Sequence, residues 1–102
     1  SPISTGDVAG ANIGIDFFNE DVTDANMQAI TDMLAGDVTR TWGCPEWLMT
    51  RGASYDATSQ AMGKMLDAGV KYLCPFNWGS GDSYDIQNSP SQQAIADVLA
   101  SL

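Results

Sequence analysis

The side chains best suited to chemistry fall in three separate stretches of the 102-residue chain: Asp16, then Arg40, Trp42 and Glu46, then Asn77 and Trp78. The middle stretch, DVTRTWGCPEWLMTR over 37–51, gathers two of the four basic residues (Arg40, Arg51) and two of the three tryptophans (Trp42, Trp47). Flat indole faces stack on the C–H faces of sugar rings, while Asp, Asn and Arg bond sugar hydroxyls. Arg40, Trp42, Asn77 and Trp78 are therefore the expected polysaccharide contacts. Asp16 and Glu46 are the two carboxylates within reach of an acid or nucleophile role.

Each residue also has a structural reading. Asp16 follows an apolar run and can bond a nearby backbone N–H instead of a ligand. Arg40 can sit in an ion pair within an acidic surface. Trp47 suits a loop or core anchor, and Trp42 and Trp78 fit either role. Glu46, after Pro45, fits the first turn of a helix. Asn77, Ser80, Asp82, Ser83 and Asp85 offer hard oxygens, but their spacing matches no calcium loop and reads as a solvated turn. Met27, Met33, Met62 and Met65 fall at helical spacing and read as core. No metal or cofactor is expected.

Thirteen acids against four bases give a formal charge of −9. That disfavours nucleic acid and anionic membrane, both of which require clustered Lys and Arg. No apolar run is long enough to span a bilayer. The absence of histidine removes Ser-His and Cys-His catalysis and most zinc sites. Cys44 and Cys74 can form a disulfide if exported, or remain as two buried thiols. Eleven of the acids are Asp, which suits an extracellular or saline setting. The chain opens Ser-Pro with no charged and apolar leader, and reads as a processed or excised piece.

These residues need elements to hold them, and the pattern supplies three similar units in one domain over 1–102, preceded by an extended segment over 1–10. Strands are expected at 13–18, 38–42 and 70–76, from β-branched and aromatic runs. Helices are expected at 24–35, 55–68 and 90–101. Their starts carry Thr23, Ser54 or Asp56, and Ser89-Pro90 with Gln92 at the third position. Gly36 and Gly69 mark ends. The expected buried stripes are Met27, Ile30 and Leu34; Tyr55, Met62, Met65 and Leu66, with Ser59 as a further candidate; and Ile95, Val98, Leu99 and Leu102. Short Gly turns lead from helix to strand and longer loops from strand to helix. The fold class is α/β: three consecutive βα units with parallel strands, whose carboxyl ends converge on one cleft.

VTRTWG followed by a Trp-bearing loop, and DAGVKYLCPFNWGSGDSYD, resemble the second and third βα units of (β/α)₈ glycosidases. The nearest likeness is to β-mannanase-type enzymes of glycoside hydrolase family five and their relatives. ANIGIDFF fits the first strand of that family less specifically. The resemblance implies that Arg40 supports a nucleophilic carboxylate, and that Trp42, Asn77 and Trp78 form sugar subsites. It places the two catalytic glutamates after strands four and seven. A full barrel takes about 250 residues, so the chain corresponds to an N-terminal part without those glutamates. A retaining pair needs carboxyl groups roughly 5 Å apart, which here leaves only an arrangement such as Asp16 with Glu46.

Three strands leave two open sheet edges. The remainder of a barrel or self-association is expected to cover them. The alternative to a carbohydrate-active unit is a non-catalytic structural or self-assembling extracellular α/β protein.

Overall fold

The computed structural model describes residues 3–8, 11–35, 37, 39–48, 52–81 and 85–102, with the backbone path alone for 3–8, 11 and 12. Gly36, Val38, Arg51, Asp82 and Ser83, which figure in the sequence reading, lie outside the described residues. The strands are β1 (Ile3–Val8), β2 (Ala11–Ile15), β3 (Phe17–Phe18), β4 (Trp42–Leu48) and β5 (Leu73–Phe76). The helices are α1 (Asp24–Leu34), α2 (Tyr55–Asp67) and α3 (Pro90–Ala100), with a 3₁₀ turn at Asn19–Asp21.

The architecture is α/β with three βα units. β4 lies at the centre, with β2 and then β3 parallel to it on one side and β5 parallel on the other. β1 joins the outer side of β2 as an antiparallel hairpin within the segment expected to be merely extended.

Local chemistry sets the helix ends. The Thr23 and Ser54 side chains accept the N–H groups of Asn26 and Ala57, each at 3.1 Å. Ser89 caps α3, Pro90 takes the first turn, and Gln92 reaches back to accept the Asn88 N–H at 2.6 Å. Gly69, at φ +81°, ends α2. Its N–H donates to the Leu66 carbonyl and the Val70 N–H to that of Met65, which satisfies two of the orphan carbonyls of the last turn.

The second strand departs from the expected 38–42. Asp37 accepts both the backbone N–H and the hydroxyl of Thr39, and the Asp37 carbonyl accepts the Arg40 N–H. Those bonds draw Thr39 and Arg40 back onto Asp37, so the strand starts at Trp42 and runs through Pro45. A proline in a central strand removes a ladder donor, and the sheet accommodates it with a bulge. Gly43 pairs with Gly14 and Trp47 with Phe17, so β4 spends one residue more than its neighbour between those pairs. The same excess appears against β5, between Cys44 with Leu73 and Trp47 with Pro75. The first strand breaks at Asp16, opposite the bulge, and the third begins at Leu73 rather than at 70.

The core lies between the helices and one face of the sheet. Ile13, Ile15, Phe17, Trp42, Cys44 and Trp47 face it, and Met27, Ile30, Met62 and Met65 close it from α1 and α2. Phe17 meets Trp42 edge to face, with centroids 6.2 Å apart, a geometry worth about 0.5–1.5 kcal/mol beyond area burial. Both buried indoles are satisfied: Trp42 donates to the Ala68 carbonyl and Trp47 to Asn19 Oδ1, each at 2.9 Å.

Two stripes differ from expectation. Tyr55 is exposed, and its hydroxyl donates to Asp97 Oδ2 across α2 and α3 at 2.6 Å. Leu99 and Leu102 are exposed as well, because α3 turns its small residues Ser91 and Ala94 to α2. There the Ser91 and Thr58 hydroxyls share a buried hydrogen bond of 2.8 Å.

Candidate functional site

At the carboxyl end of the sheet, register places Phe18 beside Leu48 and Leu48 beside Phe76. Side chains alternate along a strand. The preceding row of Phe17, Trp47 and Pro75 faces the helices, so the Phe18–Leu48–Phe76 row lies on the helix-free face. Phe18 and Phe76 are 44% and 46% exposed. Two residues beyond Phe76 stands Trp78, 61% exposed, with Asn77 half-buried between them. The outcome is an apolar row of Phe18, Leu48 and Phe76 along the strand ends, with Trp78 in the loop just beyond it.

The Trp78 backbone is fixed on both sides. The Asn77 carbonyl accepts the Ile86 N–H at 3.0 Å, and Ile86 is buried. The Gly79 N–H donates to Asp85 Oδ1 and the Gly81 N–H to Asp85 Oδ2, each at 2.8 Å; the Gln87 N–H donates to Oδ1 at 3.0 Å. Gly79 and Gly81 both adopt φ +73°, a left-handed conformation that brings their N–H groups onto one carboxylate without a Cβ penalty. The Gly81 N–H, followed by those of Gln87, Gly79 and Ser80, holds the Asp85 carboxyl below the usual carboxylate range.

The structure does not bring the four expected sugar contacts together. Asn77 and Trp78 follow the carboxyl end of β5, whereas Arg40 and Trp42 lie at the amino end of β4. Trp42 is fully buried, so its faces meet protein rather than solvent. The displacement follows from the bonds that hold Thr39 and Arg40 to Asp37, which move the whole strand toward the carboxyl side of its expected position. Trp47 is a core anchor. Asp16 Oδ1 accepts the Glu46 N–H at 3.1 Å, inside the bulge. Glu46 is exposed on β4 rather than in a helix. Both Asp85 oxygens face N–H groups, an arrangement that repels a cation. Among the described residues, no three His, Cys, Asp or Glu side chains gather as metal ligands.

The two thiols are free, Cys44 buried and Cys74 exposed, rather than bonded or both buried. Cys44 pairs with Leu73, so Cys74, one residue on, points to the opposite face. Burial, and secondarily the Asp16 charge, push the Cys44 thiol up to about 12 against opposing hydrogen bonds from the Phe17 and Glu46 backbone. On the helix-free face the Tyr72 ring lies across Gly43, where any Cβ would overlap it.

Phe18, Leu48 and Phe76 escaped the sequence reading, and Asp85 was read only as part of a solvated turn, not as the carboxylate that clamps the Trp78 loop. Phe18 and Phe76 were legible as strand residues, but their shared row depends on the β4 register, which Pro45 concealed. The signal for Asp85 was the Gly-x-Gly spacing four residues before an Asp, a pattern able to wrap backbone N–H groups around a carboxylate. No family model, curated protein or solved structure matches the chain.

Proposed function

We propose that the chain binds a polysaccharide of mannan or cellulose type along the carboxyl ends of its parallel strands, as a unit related to (β/α)₈ glycoside hydrolases. The observation that carries this reading is an exposed tryptophan, Trp78, held on a loop clamped at both neighbours, two residues beyond Phe76 in the Phe18–Leu48–Phe76 row. Pre-fixed rings lose little freedom on binding, which favours weak, extended sugar contacts. Asn77, beside Trp78 in the chain, supplies a polar side chain, and Phe18 and Phe76 take the places first given to Arg40 and Trp42. The NWGSGD sequence is also the part of the β-mannanase-type resemblance that coincides with this loop. The binding unit works outside the cell, where its polymeric ligand is found.

Hydrolysis is not part of the proposal. The resemblance requires glutamates after strands four and seven, and the chain's two glutamates, Glu20 and Glu46, follow β3 and sit within β4. Isothermal titration with mannohexaose and cellohexaose tests binding. One stacked ring is worth about 0.5–1.5 kcal/mol, so Trp78→Ala should weaken binding by about tenfold. No measurable heat at millimolar sugar would overturn the reading.

A further inference from the structure

β5 ends the sheet on its side, because β4 occupies one of its edges and no described strand pairs with the other. The Tyr72 carbonyl accepts the Cys44 N–H at 3.0 Å, so by strand alternation the polar groups of Leu73 and Pro75 point to the outer edge. Pro75 lacks one donor there, while the Leu73 N–H and both carbonyls remain. Beside this edge α3 leans on α2 and leaves a groove of about 250 Å³. Met62 and Leu66 of α2, Leu73 and Pro75 of β5, and Ile95 and Leu99 of α3 line it. Leu99 is 55% exposed. Lys71, just before β5, borders the groove, and no carboxylate among the described residues forms an ion pair with it.

We propose that this edge and groove dock an extended peptide from a partner protein. The peptide adds a strand to β5, sets alternate apolar side chains into the groove, and brings an acidic residue to Lys71. Three features select that occupant. Backbone donors and acceptors lie along one side of an apolar trough, and a strand satisfies both at once, whereas an acyl chain leaves the backbone groups unpaired. The trough receives every second side chain of an added strand, matching its own lining by Leu73 and Pro75. Lys71 is a cation with no ion-pair partner among the described residues, on a chain of charge −9, so an acidic peptide residue is attracted locally, while a second copy brings a further −9 against it.

Fluorescence anisotropy tests the proposal with a fluorescein-labelled nine-residue peptide of alternating valine and threonine carrying one glutamate. A second peptide is N-methylated on alternate residues, and a third carries lysine in place of glutamate. The native chain should bind the first at micromolar to submillimolar concentration and the N-methylated one at least tenfold more weakly. Leu99→Asp should weaken binding about tenfold with an unchanged circular dichroism spectrum, since Leu99 is already half exposed. Lys71→Glu should reverse the preference between the glutamate and lysine peptides. Trp78→Ala should change none of this, which separates the edge from the sugar site. No binding at millimolar peptide would overturn the proposal, and so would equal binding of the N-methylated peptide. A chain dimer that excludes the peptide and that Leu99→Asp splits would overturn it in favour of a second copy.

Discussion

The Asp16 carboxylate accepts the Glu46 backbone N–H at 3.1 Å across 30 residues of sequence, at the point where β4 carries one residue more than its neighbours. A bulge leaves a backbone group without a ladder partner, and Asp16 supplies one from the break between β2 and β3. One of the two candidate carboxylates is thereby tied to the irregularity that Pro45 imposes. A hydrogen bond to a charged acceptor contributes about 1.5–3 kcal/mol, less where water reaches the site as it does here. Asp16→Ala should therefore destabilise the fold by about 1–2 kcal/mol, and Asp16→Asn, which keeps an acceptor, by less. Urea unfolding of the two variants checks this order, and equal losses would show that the carbonyl oxygen does not replace the carboxylate.

Gly43 and Tyr72 make a second such pair. The Tyr72 ring occupies the space a Cβ at 43 would need, so Gly43→Ala must displace the ring or the strand. Overpacking of this kind costs about 1–3 kcal/mol. In a Tyr72→Ala background the same substitution should cost well under 1 kcal/mol, a coupling that a double-mutant cycle measures directly. An unchanged cost in that background would place the strain in the β4 backbone instead.

The three helices were legible because each start carries its cap and each apolar stripe has period 3.6; Thr23, Ser54 and Ser89 act as expected. The parallel order of the three units was legible from Gly-ended helices followed by short turns. β4 was not, for two local reasons. Asp37 and Thr39 close a side-chain turn inside a run of strand propensity, and Pro45 sits inside a strand that central position should forbid. That shift separated Trp42 from Trp78, which no pattern in either stretch reveals. The exposed ends of α3 had a different cause: Leu99 and Leu102 satisfy helical periodicity, but α3 packs on α2 through Ser91 and Ala94, whose small size permits close approach.

The thiols should differ sharply in reactivity. Only a thiolate attacks an alkylating agent, and Cys44 is both buried and pushed up to about 12, whereas Cys74 is exposed on β5. At pH 8, iodoacetamide followed by mass spectrometry should label Cys74 in the native chain and both cysteines only in denaturant. Fast native labelling of Cys44 would mean that β4 opens on the experimental timescale.

Asp85 should make the Trp78 loop sensitive to acid. Its carboxyl lies below the usual range because the Gly81 N–H, then those of Gln87 and Gly79, bond the ionised form. A depressed folded value fixes the sign: the loop gains from the charge at every pH above the ordinary carboxylate value near 4. That gain is lost as pH falls through the lower folded value. Trp42 and Trp47 are buried, and Trp78 is the one exposed indole, so acrylamide quenching of fluorescence reports chiefly on this loop. In the native chain quenching should hold steady from pH 8 to about 5 and change below about pH 4, before the far-ultraviolet circular dichroism signal moves. Asp85→Asn places an amide donor where one of two acceptor oxygens stood, so its quenching should already differ at pH 7 and stay flat on acidification. Asp37 and Asp97 also have lowered values, but the first bonds Thr39 in the turn before β4 and the second Tyr55 between α2 and α3, and both remain in the variant. If Asp85→Asn retains the native acid response, the transition belongs to those carboxylates and the clamp on Trp78 does not depend on the Asp85 charge.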